Sequence, residues 1–226
     1  MEESVLGGAP AADSSNSLYL MRGNGIFDGQ TAWGDIFLKF RHYQRLTVTD
    51  FFTPSNQLTL DAADLDLGSG GTAVLVDQSS GPHPHLLVVG SKNGLLFVLV
   101  RTNMGKFTSA GADQVVQTIS GRNLFSTPYS GRTHYSLLDS LHLEWRSLFL
   151  PTLTRFNPVP VSQTAASFSF PGSSPSISSS GSSNGIVSTI DSHTFGTSNA
   201  GSVSAGPVIL HAFDQRIWGT NCGTAR

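Results

Sequence analysis

His83 to Val100 reads HPHLLVVGSKNGLLFVLV, two apolar runs around a polar turn centred on Asn93-Gly94. Asn-Gly between apolar runs predicts a two-residue type I′ hairpin turn, in which both central residues take positive φ. The runs are near-continuously apolar on both sides of the turn, which predicts strands buried on both faces. The phrase has two further copies. Gly8 to Met21 reads GAPAADSSNSLYLM, and Ser174 to Ile190 reads SPSISSSGSSNGIVSTI. The second and third copies align without gaps: Gly90 over Gly181, Asn93-Gly94 over Asn184-Gly185, Leu95-Leu96 over Ile186-Val187. The offset is two repeats of roughly 45 residues, a period that with several short strands per unit predicts a β-propeller or a related array.

At 226 residues the chain is long enough to bury a substantial core. Charged residues make up 12% of it, half the usual share of roughly 25%. The net charge of −2 leaves no basic stripe of the kind nucleic acid needs. Gly is abundant, and recurrent Asn-Gly and Ser-Gly pairs suit tight hairpins rather than long helices. A lone cysteine, Cys222, excludes an internal disulfide and a cysteine-rich zinc site. No stretch approaches the roughly 18 apolar residues of a spanning helix. Met1-Glu2-Glu3 opens on acids without the apolar core of a secretory signal. A repeat unit already at Pro10 predicts a chain that begins inside a longer protein.

Leu18 to Met21 reads as a strand, Gly23-Asn24-Gly25 as a turn, and Ile36 to Leu38 and Leu46 to Val48 as further strands. In NQLTLDAADLDLGSGG, Asp64 and Asp66 alternate with Leu65 and Leu67 at period two, as on a half-buried strand. Thr72 to Val76 reads as the next strand and Val208 to Phe213 as the last. Within 136–149, Leu137, Leu138, Leu141, Trp145, Leu148 and Phe149 follow helical spacing, so an amphipathic helix and a damaged strand pair both fit. The Ser-, Gly- and Thr-rich region 167–206 has a linker's composition, yet it holds the third copy of the phrase. Strands are expected at 175–190 and a long loop at 191–206.

Asp61, Asp64 and Asp66 before Gly68 offer hard carboxylate oxygens spaced like the start of a calcium loop, without that loop's late bidentate Glu. The plainer reading is a strand with polar groups outward, or an Asp capping a blade turn. His83 and His85 share a face if extended and suit a transition metal, though no third ligand stands near them in sequence. Gly23-Asn24-Gly25 lacks the Lys-Ser/Thr ending of a phosphate loop. Ser126, His134 and Asp139 make a triad only on paper, with no G-x-S-x-G to support it. Cys222 has no paired base. Lys39 and Arg101 form no basic cluster unless the fold joins them.

GGAPAADSS, LYLMRGNGIFDGQ, DFFTPSNQLTLDAADLDLGSGG, GPHPHLLVVGSKNGLLFVL, SFSFPGSSPSISSSGSSNGIV and VILHAFD occur in this order along the chain. With these stretches the chain resembles bacterial proteins with pyrroloquinoline-quinone-type propeller repeats, of the quinoprotein-dehydrogenase-like superfamily. LDAADLDLGSGG is the most specific run. Two departures stand out. SGRTHYSLLDSLHLEWRSLFLP replaces an expected Asn-Gly hairpin, and the closing pattern survives only as Ala212, Asp214 and Trp218.

The resemblance implies an all-β partial propeller of about four blades, each a four-stranded antiparallel sheet. Residues 1–226 then form a single domain with an irregular segment at 129–150 and a Ser/Gly-rich loop at 191–206. Enzymes of the superfamily hold the quinone on a Trp floor beside a disulfide of adjacent cysteines, with Ca²⁺ and a catalytic Asp. Here Trp33, Trp145 and Trp218 are the only tryptophans, and one cysteine cannot form that disulfide. Other members bind no quinone and act as scaffolds. The expectation is therefore a non-catalytic binding or structural segment of a larger extracytoplasmic bacterial protein. Its partner would be another protein or the missing blades, with no nucleic acid and no membrane span. A fragment of an oxidoreductase using pyrroloquinoline quinone and calcium is the alternative. A carbohydrate-binding propeller, favoured by exposed Trp and Tyr faces, is a weaker third.

Overall fold

The computed structural model describes residues 10–42, 45–70, 72–74, 77, 81–120, 129–130, 134–138, 143–149, 155–157, 162–164, 168, 175–180, 183–191, 208–214 and 217–225. The chain is all-β, and among the described residues the strands form four separate sheets, none closed on itself. β1 (Ala11–Ala12), β2 (Ser17–Arg22), β3 (Ile36–His42) and β4 (Leu46–Thr53) run antiparallel as one meander. A short helix α1 (Gln57–Ala62) and a 3-10 turn (Leu67–Gly70) follow. β5 (Thr72–Val74), β6 (Leu86–Gly90) and β7 (Leu95–Val100) start the second sheet. β8 (Lys106–Phe107) then returns to the first sheet, where it pairs parallel with the end of β4. β9 (Gln117–Ser120) completes the second sheet beside β7.

In the third sheet β10 (Tyr129–Ser130), β11 (His134–Leu138) and β12 (Leu143–Phe149) are followed by β13 (Arg155–Phe156) and β14 (Ser162–Gln163), both paired with β12. The fourth sheet is β15 (Ser176–Ser180), β16 (Ser183–Asp191), β17 (Ile209–Asp214) and β18 (Ile217–Ala225), in that order. Among the described residues no helix is long and apolar enough to cross a membrane.

The second sheet is the centre of the molecule, and every residue of β6 is buried. Leu87, Val89, Phe97 and Leu99 point toward the first sheet and pack on Tyr19, Met21, Phe37 and Phe52. Leu86, Val88, Leu96 and Val98 point the other way and pack with Val116, Ile119 and Phe156, the last from the third sheet. Alternate residues of a strand face opposite ways, so only a continuous apolar run can fill two cores at once. Each such side chain contributes about 1.5–3 kcal/mol by leaving water.

The hairpin between β6 and β7 forms as expected, but its turn is not the two-residue type. Ser91 N donates to Leu95 O at 3.0 Å, and Gly94 N donates to Ser91 O at 3.0 Å. The loop is therefore the three residues Lys92-Asn93-Gly94. Within the Asn-Gly pair only Gly94 is left-handed, at φ 81°. Asn93 instead uses its side chain, whose Oδ1 accepts from Leu95 N at 3.1 Å and from the Ser91 hydroxyl. That local bonding favours a type I turn followed by a left-handed residue. The first copy of the phrase builds the same turn from different residues. Asp13 N donates to Ser17 O at 3.1 Å, Asn16 N donates to Asp13 O at 3.2 Å, and Asn16 is left-handed at φ 60°. The third copy also makes a hairpin, β15 with β16, but in another register: Ile177 faces Val187, whereas its counterpart Leu86 faces Val100.

Two further expectations change, and one open alternative is decided. Asp64 to Leu67 is not a strand. Asp64 is left-handed at φ 54°, between α1 and the 3-10 turn. The apparent period two arises because Asp66 and Leu67 are both buried at a docked loop, where no strand pairing sets an alternation. Within 129–150 the strand pair wins over the helix, with Ser136 opposite Trp145 and Leu138 opposite Leu143. Pairing with β10, β13 and β14 gives those residues neighbours that an isolated helix would lack. Nor is 208–213 the last strand. β18 follows it across two register shifts, paired through its backbone despite a sequence with little apolar alternation. The loop expected at 191–206 lies outside the described residues beyond Asp191, the last residue of β16.

Candidate functional site

Two stretches picked out separately in the sequence, Gly23-Asn24-Gly25 and LDAADLDLGSGG, fold into one assembly. Turn 23–25 follows β2, and α1 with its 3-10 turn docks on it. Asp61 Oδ1 accepts from Gly25 N at 3.0 Å, and Asp66 Oδ1 accepts from Asn24 N at 3.0 Å. Asp64 Oδ1 accepts from the Asn24 side-chain amide at 2.7 Å. Gln57 Nε2 donates to Gly25 O at 3.1 Å. Backbone N–H groups at a tight turn have no strand partner, and the carboxylates supply one.

Close approach makes two glycines necessary here. A Cβ on Gly34 would lie 2.1 Å from Gly25 O, and one on Gly68 would lie 2.9 Å from the backbone of Arg22 and Gly23. The hairpin of the second sheet reaches the same place. Lys92 Nζ lies 2.8 Å from Asp64 Oδ2 and 3.2 Å from Asp66 Oδ2. The Asp64 hydrogen bond, with that of Asp66, raises the Lys92 pKa above its ordinary value.

Asp35 closes the assembly from below. It is fully buried and left-handed at φ 47°, and its N donates to Gly23 O at 2.8 Å. Its Oδ1 accepts from Leu67 N at 3.0 Å, while Oδ2 makes no well-formed hydrogen bond, though the Gln57 amide approaches the carboxyl. Burial pushes the Asp35 carboxyl up to about 6, and the charges of Asp61 and Asp66 add to the shift.

Asp61, Asp64 and Asp66 are thus brought together, as calcium ligation would require, but their oxygens face N–H donors and an ammonium. Lys92 sits between Asp64 and Asp66, where a divalent ion would meet a like charge. The donor set as placed does not fit a hard cation. Among the described residues no group of three His, Cys, Asp or Glu side chains is positioned to hold a metal.

His83 and His85 lie in a bend before β6 rather than on a strand. His85 Nδ1 is 3.0 Å from Asp77 Oδ1. Ser126 and Asp139 lie outside the described residues, and His134 lies in β11. Trp33 packs edge-on against Phe51, with centroids 5.5 Å apart, and Trp145 and Trp218 fall on β12 and β18. Nearby, Phe27, Phe51, Leu58 and Phe107 line an open groove of about 400 Å³, with Lys106 4.9 Å over the Phe51 ring.

Sequence reasoning missed Lys92 and Asp35. Lys92 had a visible signal, its place at the tip of the repeated phrase. Asp35 had none, because its role depends on residues about thirty positions away. Comparison with protein-family models and with curated proteins gives no match.

Proposed function

We propose that this chain is a non-catalytic segment of a β-propeller, a binding or structural scaffold within a larger extracytoplasmic bacterial protein. The observation that carries this reading is the use made of Asp61, Asp64 and Asp66. All three tie the loops of one sheet to each other, and Asp64 and Asp66 also reach the next sheet through Lys92. An acid cluster so engaged serves the joint between repeats rather than a reacting molecule. Sheets built largely from consecutive strands, apart from β8 returning to the first, with the second packed on the first by one face and on the third by the other, support the blade reading. The extracytoplasmic setting rests on the resemblance alone.

The partner face of such a segment is apolar. Ile190 and Leu210 are cross-strand neighbours in the fourth sheet and are 54% and 46% exposed, whereas Val187 and Phe213 on the opposite face are buried. The deciding experiment titrates the pure chain with pyrroloquinoline quinone and Ca²⁺ and follows dye reduction. No saturable binding and no turnover are expected. Tight quinone binding that is lost in Asp64→Ala would replace the scaffold reading with the oxidoreductase one.

A further inference from the structure

Lys39 and Arg101, far apart in sequence, meet at a crevice between the first and second sheets. Lys39 lies opposite Tyr19 and Arg41 opposite Ser17 on the β2–β3 pair. Arg101, just after β7, comes from the other side, and its carbonyl accepts from Lys39 Nζ at 2.8 Å. The crevice measures about 110 Å³.

Both oxygens of Asp13 and one of Asp77 are already occupied. Asp13 Oδ1 accepts from Ser15 N at 2.9 Å and from Ser17 N at 3.0 Å. Asp13 Oδ2 accepts from Tyr19 Oη at 2.8 Å and from Arg101 at 3.1 Å. Asp77 Oδ1 takes Arg101 and His85. The donors are less committed. The Lys39 ammonium carries three N–H groups, and among the described residues its one hydrogen bond is to the Arg101 carbonyl. Arg41 is exposed, with no side-chain partner among the described residues. Ser17 is 1% exposed, and its hydroxyl makes no well-formed hydrogen bond, though it approaches the Tyr19 phenol. Among the described residues, three fixed cations (Lys39, Arg41, Arg101) face two carboxylates (Asp13, Asp77), one positive charge in excess.

We propose that this crevice binds one small organic carboxylate, held by Lys39 and Arg41 with Ser17 at its base. A surplus of donors and of one positive charge calls for an acceptor with a single negative charge. A crevice of about 110 Å³ has room for a carboxylate on a short carbon chain and not for a large ligand. A phosphate dianion has too much charge for the lining. The site is independent of the scaffold reading, which would survive its failure.

The test is a titration of the full chain with sodium acetate at constant ionic strength, read from amide chemical shifts, with chloride and phosphate as controls. Saturable binding of acetate is expected at one site that moves the Ser17, Lys39 and Arg101 signals, with phosphate weaker. Arg41→Gln, at an exposed side chain that the fold does not use, should weaken acetate at least tenfold, and Lys39→Met should abolish binding. The proposal is overturned if acetate does no more than chloride, if phosphate binds more tightly, or if Arg41→Gln binds as the parent chain does.

Discussion

Asp35 couples this fold to pH. Its carboxyl ordinarily titrates near 3.8, and burial raises it to about 6 in the folded chain. Between those values the folded state binds more protons than the unfolded one. Stability contributed by the neutral form is therefore complete below pH 4 and is lost as the pH rises through 6. A shift of this size corresponds to something on the order of 3 kcal/mol. Asp13, Asp28 and Asp77 have lowered pKa values and act in the opposite sense. The clean measurement is thus a difference, urea unfolding of the parent against Asp35→Asn from pH 4 to 7. The variant should gain on the parent as the pH rises, because an amide keeps the Leu67 hydrogen bond without a buried charge. Parallel curves would show that Asp35 does not titrate in this window. Two glycines make sharper demands. Gly94 at φ 81° resists any β-branched side chain, so Gly94→Val should cost about 1–3 kcal/mol. Gly34→Ala must displace the Gly25 carbonyl and should cost at least about 2 kcal/mol, read as a lowered denaturation midpoint.

At the scale of elements, the two faces of the second sheet make an internal comparison. Leu87 faces the first sheet and Leu96 the third side, and both are at most 2% exposed. Leu87→Ala and Leu96→Ala should each cost about 2–5 kcal/mol, whereas Leu58→Ala, on the exposed side of α1, should stay within about 0.5 kcal/mol. Chemical denaturation of the three variants checks this, and a mild Leu96→Ala would mean that the second core is not closed. This sheet was also the most legible part of the sequence. A continuous apolar run on each side of Asn93-Gly94 specifies strands, hairpin and double burial together, and only the turn type depended on a side-chain detail at Asn93. The run 57–70 was not legible as structure. Its aspartates take their partners from turn 23–25 and Lys92, and a local window contains neither. The same limit left β11 and β12 undecided between strand and helix. Helical spacing at 137–149 is a statement about six apolar residues, while the strand outcome depends on β10, β13 and β14 being there to pair. The carboxylates were found as a cluster, but their role was decided by N–H groups that any sequence carries.

At the scale of the molecule, an open series of sheets leaves something uncovered. The second sheet has a neighbour on each face, and the fourth has one face buried and one lined by Ile186, Ile190 and Leu210, each more than 40% exposed. Interior strands of a propeller escape this exposure because the blades close radially, and a series that does not close presents an apolar face and a strand edge to solvent. The isolated chain is therefore expected to associate with rising concentration. Sedimentation velocity over a hundredfold concentration range should show the mass increase. Ile190→Lys combined with Leu210→Lys places two like charges on that face without touching Val187 or Phe213 beneath it. The double variant should stay monomeric at concentrations where the parent does not, with its unfolding midpoint lowered modestly by repulsion between the facing lysines. If the parent is a monodisperse monomer that unfolds cooperatively at high temperature, the exposed face needs no partner. If both chains associate equally, the contact runs through another surface, and the strand edge of the fourth sheet becomes the place to look.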